Sequence, residues 1–359
     1  MPATSSRCGT WRTVTSALID AGLAGAIGRQ FASSGPEVSR STARDAVVML
    51  RDLAAEAQEH VAAVTGIAAP SDNAVFVIDR REWIDANVSS LADLLHSWTP
   101  RKKPSAFARS IGSRALAIEV GVALSWMSTK VLGQYEVFTP SELSGRLLLV
   151  APNIVEVEQT LEVNPRDFRL WVCLHEETHR VQFAAHPWLG EYLRALTISF
   201  LEISDVPPQQ LLSQLTHAAS KDDSSGDFER SWFERMMNAE QRELFDRVTA
   251  VMSLLEGHAD VVMDEVGPHV VGSVAQIRSR FQERRTNPST LDRMVRSALG
   301  MDAKMRQYAD GAVFVRRVVD EIGMQGFNQV WESAENLPTR IELHDPQLWI
   351  DRVASGVAA

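Results

Sequence analysis

Residues 170–183 read Leu170-Trp171-Val172-Cys173-Leu174-His175-Glu176-Glu177-Thr178-His179-Arg180-Val181-Gln182-Phe183. Just upstream, Asn164 and Pro165 are the residue types preferred at an N-cap and in the first helical turn, so we predict that a helix begins there and runs through the stretch. His175 and His179 would then lie one above the other on one helix face. Two imidazoles in this arrangement can bind one Zn²⁺, and Glu176 can act as the general base toward a zinc-activated water.

A second segment offers the remaining ligand, and it reads Leu254-Leu255-Glu256-Gly257-His258-Ala259-Asp260. Its flanks are apolar, and carboxylates in such a segment are costly to bury unless they are paired or bound to a cation. One large group of zinc peptidases uses a glutamate on a later helix as third ligand and an acid one turn further on to orient an imidazole. Glu256 and Asp260 have that spacing and share a face. His258, about 200° around the helix from Glu256, is the alternative third ligand.

The same residues also have a purely structural interpretation. The His-Glu-x-x-His pattern can arise by chance in a helical chain, and Glu256 and Asp260 could form a solvated acidic face. Glu177 points about 100° away from Glu176, so we predict that it lies at the surface or beside the metal ligands without binding the metal. Cys173 is two residues before His175, where helical side chains diverge, so we predict a buried thiol that is not a ligand.

The composition is that of an ordinary globular protein. The chain has 359 residues, of which 45% are hydrophobic and 23% charged, and its net charge is −10. This charge argues against a nucleic-acid partner, and we interpret the locally basic residues 278–296 as a solvated face. Two cysteines, Cys8 and Cys173, are too few for a disulfide framework. With no evident signal peptide and no apolar run suited to a stable membrane span, a cytoplasmic protein is expected.

Helical patterns dominate the chain, so we predict a mainly α fold of the α+β class. Residues 108–132 are predicted to form a long apolar helix that Gly133 terminates, and residues 146–151 are the clearest candidate for a strand. We place a helical N-terminal part at residues 1–139 and a metal-binding core with a helical C-terminal extension at residues 140–359. The boundary is soft, and both parts could form one continuous domain.

Motifs from residue 20 to the C-terminus make the chain similar to a known family. Five motifs lie around the histidine pair and Glu256: Arg169-Leu170-Trp171, His175-Glu176-x-Thr178-His179-Arg180-x-Gln182-Phe183, Pro187-Trp188-Leu189, Leu255-Glu256-Gly257-His258-Ala259 and Val262-Met263-Asp264. Five others lie elsewhere in the chain: Asp79-Arg80-x-x-Trp83-x-x-Asn87, Val131-Leu132-Gly133-Gln134-Tyr135-Glu136, Pro152-Asn153, Gln307-Tyr308-x-x-Gly311-x-x-Phe314-Val315 and Trp331-x-x-x-Glu335-Asn336-Leu337-Pro338. This set resembles an actinobacterial zincin-like family. Its members are identified as candidate zinc metallopeptidases or hydrolases, and some are associated with deazaflavin-coenzyme biosynthesis.

The resemblance implies a fold with a zincin-like core and a small β-sheet. It also implies that the protein is a zinc metallopeptidase or amide hydrolase acting on a peptide or protein substrate. The alternative is a catalytically inactive zincin-like protein that serves as a binding or interaction module. A peptidase also needs a donor for the tetrahedral oxyanion. The residue types available for this role are Tyr192, His186, His258, His269 and Tyr308, and spacing does not choose among them.

Overall fold

The computed structural model describes residues 18–70, 75–96, 106–138, 145–203, 237–286 and 301–353. Helices dominate these residues and one small sheet accompanies them, so the predicted mainly helical α+β class is confirmed. The elements are α1 (Ala21–Phe31), α2 (Arg40–Thr65), β1 (Val75–Ile78), α3 (Arg80–His96), α4 (Ala106–Met127), β2 (Gly133–Glu136), β3 (Arg146–Val150), α5 (Ala151–Leu161), α6 (Pro165–Ala184), α7 (Pro187–Ile203), α8 (Ala239–Val266), α9 (Val274–Thr286), α10 (Met301–Phe327), two short 3-10 helices (Asn328–Trp331 and Ala334–Asn336), α11 (Arg340–His344) and α12 (Pro346–Val353).

The sheet belongs to a compact unit formed by Met1–Arg51 and Ser71–Val157. Its strand order is β1-β3-β2, with β1 parallel and β2 antiparallel to the central strand β3. Val75 pairs with Leu147, and Gly133 pairs with Leu149. Residues 147–150 are fully buried, which explains why this central strand is a continuous apolar run in the sequence. The strand predicted at residues 146–151 is confirmed over Arg146–Val150, whereas Ala151 already begins α5.

Residues from several of the motifs that carry the family resemblance form buried hydrogen bonds within this unit. The buried guanidinium of Arg80 donates from Nε to Oδ1 of Asn153 at 2.6 Å. The amide of Asn153 in turn donates to the backbone carbonyls of Ser128 and Val131, which lie in the segment that leads into β2. These contacts satisfy buried polar groups and hold the segment before the strand. The motifs around these residues therefore need no catalytic explanation.

The second compact unit, formed by Asp52–Pro70 and Glu158–Ala359, contains the histidine pair and Glu256. Helix α8 is its centre and packs against α6, α7, α10 and α11. The buried side chains include Phe168 on α6, Leu254 and Val262 on α8, and Phe314 on α10. The polypeptide around Glu256 is therefore fixed by helices on several sides.

Two glycines allow α8 and α10 to approach each other closely. A Cβ atom added to Gly257 would overlap the backbone of Gly311, and one added to Gly311 would overlap the backbone carbonyl of Ser253. Because the obstructing atoms are backbone, they cannot rotate away as a flexible side chain could. Gly257 directly follows Glu256, so this contact also fixes the position of the Glu256 backbone relative to α10.

We expect Gly311→Ala to lower the free energy of unfolding by about 1–3 kcal/mol, because the added methyl group forces two packed helices apart. Urea unfolding measures the change. Gly22→Ala is the matched control, since Gly22 is exposed on α1 and its added Cβ would lie an ordinary 3.5 Å from Oδ1 of Asp20. If the two variants were equally stable, close backbone packing would not be what requires glycine at position 311.

The helix predicted over residues 108–132 differs from the observed one. Helix α4 ends at Met127, and Gly133 opens β2 instead of terminating a helix. The backbone N–H of Val150 donates to the carbonyl of Leu132 at 2.8 Å, so pairing with β3 draws this segment into the sheet. The sequence also predicts an exposed loop or a lid at residues 206–227, from its prolines and polar residues, and a helix cap at residues 287–290, from Asn287-Pro288. Both segments lie outside the described residues, as does Cys8. The domain boundary at residues 139–140 stays a prediction.

Across the described ranges, we find no helix that combines the length and the apolar character needed to cross a bilayer.

Candidate metal centre

Helices α6 and α8 supply the residues of the predicted metal centre, and local sequence sets where both helices begin. The side chain of Asn164 accepts a hydrogen bond from the backbone N–H of Asp167 at 3.1 Å, and Pro165 occupies the first turn of α6. Helix α8 begins with a reciprocal capping box between Asn238 and Gln241. The predicted N-cap of α6 is confirmed.

The structure brings His175, His179 and Glu256 together. The Nε2 atoms of the two histidines are 3.2 Å apart. The Glu256 carboxylate reaches both rings, with Oε2 3.7 Å from Nε2 of His175 and Oε1 3.8 Å from Nε2 of His179. One ligand atom from each residue lies within 4.8 Å of the others, and all three residues are partly exposed.

This spacing fits a zinc ion. Bonds of about 2.0–2.2 Å in a tetrahedral site separate neighbouring ligand atoms by about 3.3–3.6 Å. The distance of 3.2 Å between the two Nε2 atoms lies just below that range, and the distances of 3.7 and 3.8 Å, made by the two different oxygens of Glu256, lie just above it. Two imidazole nitrogens and one carboxylate oxygen form a donor set that catalytic zinc sites use, with a fourth position left for water. The assignment of the three residues as ligands stays a prediction that their convergence supports.

Glu176 lies beside these groups in a buried environment. Its side chain is only 7% exposed, and burial raises its pKa to about 7. Electrostatic interaction with His179 lowers the pKa of Glu176 and interaction with Glu256 raises it, so the Glu176 carboxyl lies within electrostatic range of both residues. A carboxyl group with a pKa near neutrality can take up and release a proton at neutral pH, as a general base must.

Glu177 is not at the surface, so that part of its interpretation from the sequence is wrong. Its side chain is fully buried and forms two hydrogen bonds with Arg180, from Nε to Oε2 and from Nη2 to Oε1, each at 2.7 Å. Burial raises the pKa of the Glu177 carboxyl, and the hydrogen bond and charge of Arg180 oppose that rise. A tertiary environment that buries both partners, rather than the helical angle, decides the position of Glu177. Cys173 is buried as predicted.

Gln182 was not a site candidate in the sequence analysis, yet it contacts both halves of the centre. Its Oε1 lies 2.9 Å from Nδ1 of His179, and its Nε2 lies 2.9 Å from the carbonyl of Leu255 and 3.0 Å from Nδ1 of His258. The sequence signal that could have identified Gln182 is its position three residues after His179, because i,i+3 residues are neighbours on a helix.

His258, the alternative third ligand, occupies a separate pocket of side chains. It is fully buried, and its ring lies 5.2 Å from that of Phe327 and 5.3 Å from that of Trp331. Burial lowers the pKa of its imidazole to about 3, so the ring is neutral at physiological pH. Its Nδ1 atom faces Gln182, whereas Glu256 is the residue of this segment whose atoms approach the two histidines.

The other predicted residues have various positions. Asp260 lies one turn after Glu256 on α8 and is partly buried, and its role in orienting an imidazole stays a prediction. For His179, the contact at Nδ1 is made by Gln182.

Among the oxyanion candidates, Tyr192 is partly buried and packs edge-on against Trp188. His186 donates a hydrogen bond to the carbonyl of Gln182 and stacks on Trp331. His269 is exposed, and the side chain of Tyr308 lies outside the described residues.

Comparison with known proteins agrees with this geometry. The model of a family described as zincin-like metallopeptidases matches residues 19–350. The chain belongs to this zincin-like family. Members of the zincin-like family normally bind zinc, which agrees with the donor set formed by His175, His179 and Glu256.

A solved structure also resembles the chain over nearly its whole length. It is that of a protein from Chloroflexus aurantiacus, described as a candidate hydrolase with a novel fold. The identity is 32%, the alignment covers 93% of this chain and 98% of the other, and the TM-score is 0.64. Among curated proteins, no sequence matches the chain.

Proposed function

We propose that the protein is a zinc-dependent hydrolase that cleaves an amide bond in a peptide or protein substrate. The observation that carries this proposal is the convergence of His175, His179 and Glu256 within 4.8 Å, with the buried Glu176 beside them. Membership of the zincin-like family and the similarity to a candidate hydrolase support the reaction class. The peptide or protein nature of the substrate rests on the family alone.

Each residue has a role that follows from its chemistry. His175 and His179 would hold the ion through Nε2, and Glu256 would hold it through a carboxylate oxygen. Zinc, when bound, polarises a carbonyl group and lowers the pKa of water to about 7. Glu176 would accept a proton from the attacking water and deliver it to the departing amine nitrogen. The Nδ1 atom of each ligand imidazole needs a partner that fixes the ring, a function we assign to Asp260 or other polar neighbours.

We further propose the cytoplasm as the compartment, on the basis of the two widely separated cysteines. A connection to deazaflavin-coenzyme biosynthesis stays an expectation of the family resemblance. A direct role there would need a phosphate or nucleotide site, and no Gly-rich phosphate-binding pattern occurs in the sequence.

Metal analysis tests the proposed centre directly. We expect the purified protein to contain about one zinc ion per chain. Chelation should abolish hydrolysis of a peptide library, and added zinc should restore it. Glu256→Ala should remove most of the zinc, because two imidazoles alone bind the ion far more weakly than three ligands. Glu265→Ala is the control, since Glu265 is an exposed carboxylate on the same helix.

The outcomes separate the enzyme from the binding module. Stoichiometric zinc together with metal-dependent cleavage supports the hydrolase. Stoichiometric zinc without cleavage of any library member would instead favour an inactive zincin-like protein that binds its partner. Zinc that survives Glu256→Ala but is lost in His258→Ala would overturn the choice of third ligand.

A further inference from the structure

Gln182 makes three short contacts with its side-chain amide, and it is almost completely buried at 1% exposure. Oε1 is 2.9 Å from Nδ1 of His179, on the same helix. Nε2 is 2.9 Å from the carbonyl oxygen of Leu255 and 3.0 Å from Nδ1 of His258, both on α8. An amide has two N–H donors and one carbonyl acceptor, so these contacts use both donors and one lone pair of the oxygen.

The backbone of α8 determines which way round this amide lies. The carbonyl oxygen of Leu255 can only accept a hydrogen bond, so the amide atom 2.9 Å from it must be the donor Nε2. The reverse orientation would place two acceptor oxygens against each other in a buried site, which is costly. Oε1 therefore faces His179, because donor and acceptor chemistry permits only this orientation of the Gln182 amide.

That orientation determines where His179 carries its proton. Because Oε1 is an acceptor, Nδ1 of His179 must be the donor, and a neutral imidazole protonated at Nδ1 has its lone pair on Nε2. Nε2 is the atom that lies 3.8 Å from Glu256 and 3.2 Å from Nε2 of His175. The tautomer imposed by Gln182 is thus the one that can bind a metal ion at the predicted centre.

We infer that Gln182 is a positioning residue that holds His179 in its metal-binding tautomer and ties that imidazole to the helix turn carrying Glu256. This inference rests on the proposed function, since it assigns a task to the same metal centre. Leu255 directly precedes Glu256, so one amide connects the histidine on α6 with the backbone that positions the carboxylate on α8. Polar partners of this kind usually fix the ring of a ligand histidine and raise its basicity.

His258 completes the arrangement from the other side. Since Nε2 of Gln182 donates to it, Nδ1 of His258 must be an acceptor, which puts the proton of this ring on Nε2. Phe327 and Trp331 pack against this ring, which is fully buried. His258 therefore accepts the second N–H hydrogen bond of the Gln182 amide. This role explains a buried histidine two residues from Glu256 without making it a ligand.

The tautomer can be read in the metal-free protein by NMR with ¹⁵N-labelled histidine, at a pH of about 8 where imidazoles are normally neutral. We expect His179 to carry its proton on Nδ1 and His258 to carry it on Nε2. In Gln182→Met the acceptor is gone, and His179 should shift toward the Nε2-protonated form that free histidine prefers. A native His179 that is already protonated on Nε2 would overturn the inference, and this measurement needs no variant that might fail to fold.

Zinc affinity, measured by chelator competition, supplies the second readout. We expect Gln182→Met to weaken zinc binding about 10–100-fold. Thr178→Val is the matched control, because Thr178 is buried on the same helix but its hydroxyl donates only to the carbonyl of Leu174, four residues earlier. It should leave the affinity within about twofold, as expected for a site with no part in the metal shell. Equal affinities in the two variants would contradict the inference.

Failure of this inference and failure of the proposed function give different results. If the protein bound no zinc but His179 were protonated on Nδ1 in a Gln182-dependent way, the metal centre would be rejected and the control of the tautomer retained. If zinc bound and Gln182→Met changed neither the tautomer nor the affinity, the centre would stand and Gln182 would have no part in it.

Discussion

Glu176→Gln is expected to lower kcat for hydrolysis by about 10²–10⁴-fold, while zinc content stays at the native level. The substitution removes the group that accepts and returns the proton but keeps its size and its position on α6. Because Gln cannot be ionised, no change of pH should restore the rate. The carboxyl of Glu176 is buried and lies within electrostatic range of His179 and Glu256. Among the described residues of the candidate centre, the other carboxylate is that of Glu256, which would have to give up its proposed role as a ligand to replace Glu176.

The measurements are metal content by elemental analysis and kcat on the best substrate from the peptide library. Glu265→Gln is a suitable control, since it makes the same chemical change at an exposed position of α8. Cleavage at the native rate in Glu176→Gln would reject Glu176 as the base. Loss of zinc in the same variant would mean that the carboxylate supports the metal centre, and the rate would then carry no information about proton transfer.

Regular local patterns made much of the fold predictable from the sequence. The N-cap at Asn164 and the buried strand β3 both follow from residue types at short range, and both are confirmed. The end of α4 was missed because the segment after Met127 stays partly apolar, so nothing local marks the change. The bond from Val150 to the carbonyl of Leu132 joins residues far apart in the sequence, and such pairing is invisible to a helical period.

The site shows the same division between local and long-range information. The spacing of His175 and His179 places both imidazoles on one face, and the structure brings Glu256 to them. Gln182 was missed because its importance lies in contacts with Leu255 and His258, more than 70 residues away along the chain. Periodicity places a side chain on a helix face, but what covers that face decides its burial and its partner.

Glu177 and Arg180 lead to the second large expected effect. Arg180→Met should lower the free energy of unfolding by about 3–5 kcal/mol, because it leaves the Glu177 carboxylate buried without its partner. The native pair is bidentate, with side chains that are 0% and 3% exposed, so water cannot replace the lost guanidinium. Urea unfolding of the metal-free protein measures the change without a contribution from zinc binding.

The double variant Glu177→Gln/Arg180→Met should cost clearly less than Arg180→Met alone, because it removes the buried charge together with its partner. Arg247→Met is the matched control. Arg247 pairs with Glu243 on α8, but their side chains are 54% and 63% exposed, so its loss should cost about 0.3–0.5 kcal/mol. An Arg180→Met variant as stable as Arg247→Met would show that Glu177 is neutralised or hydrated in the folded state. A large loss confined to Arg180→Met would instead establish that this ion pair stabilises the helix on which both histidines lie.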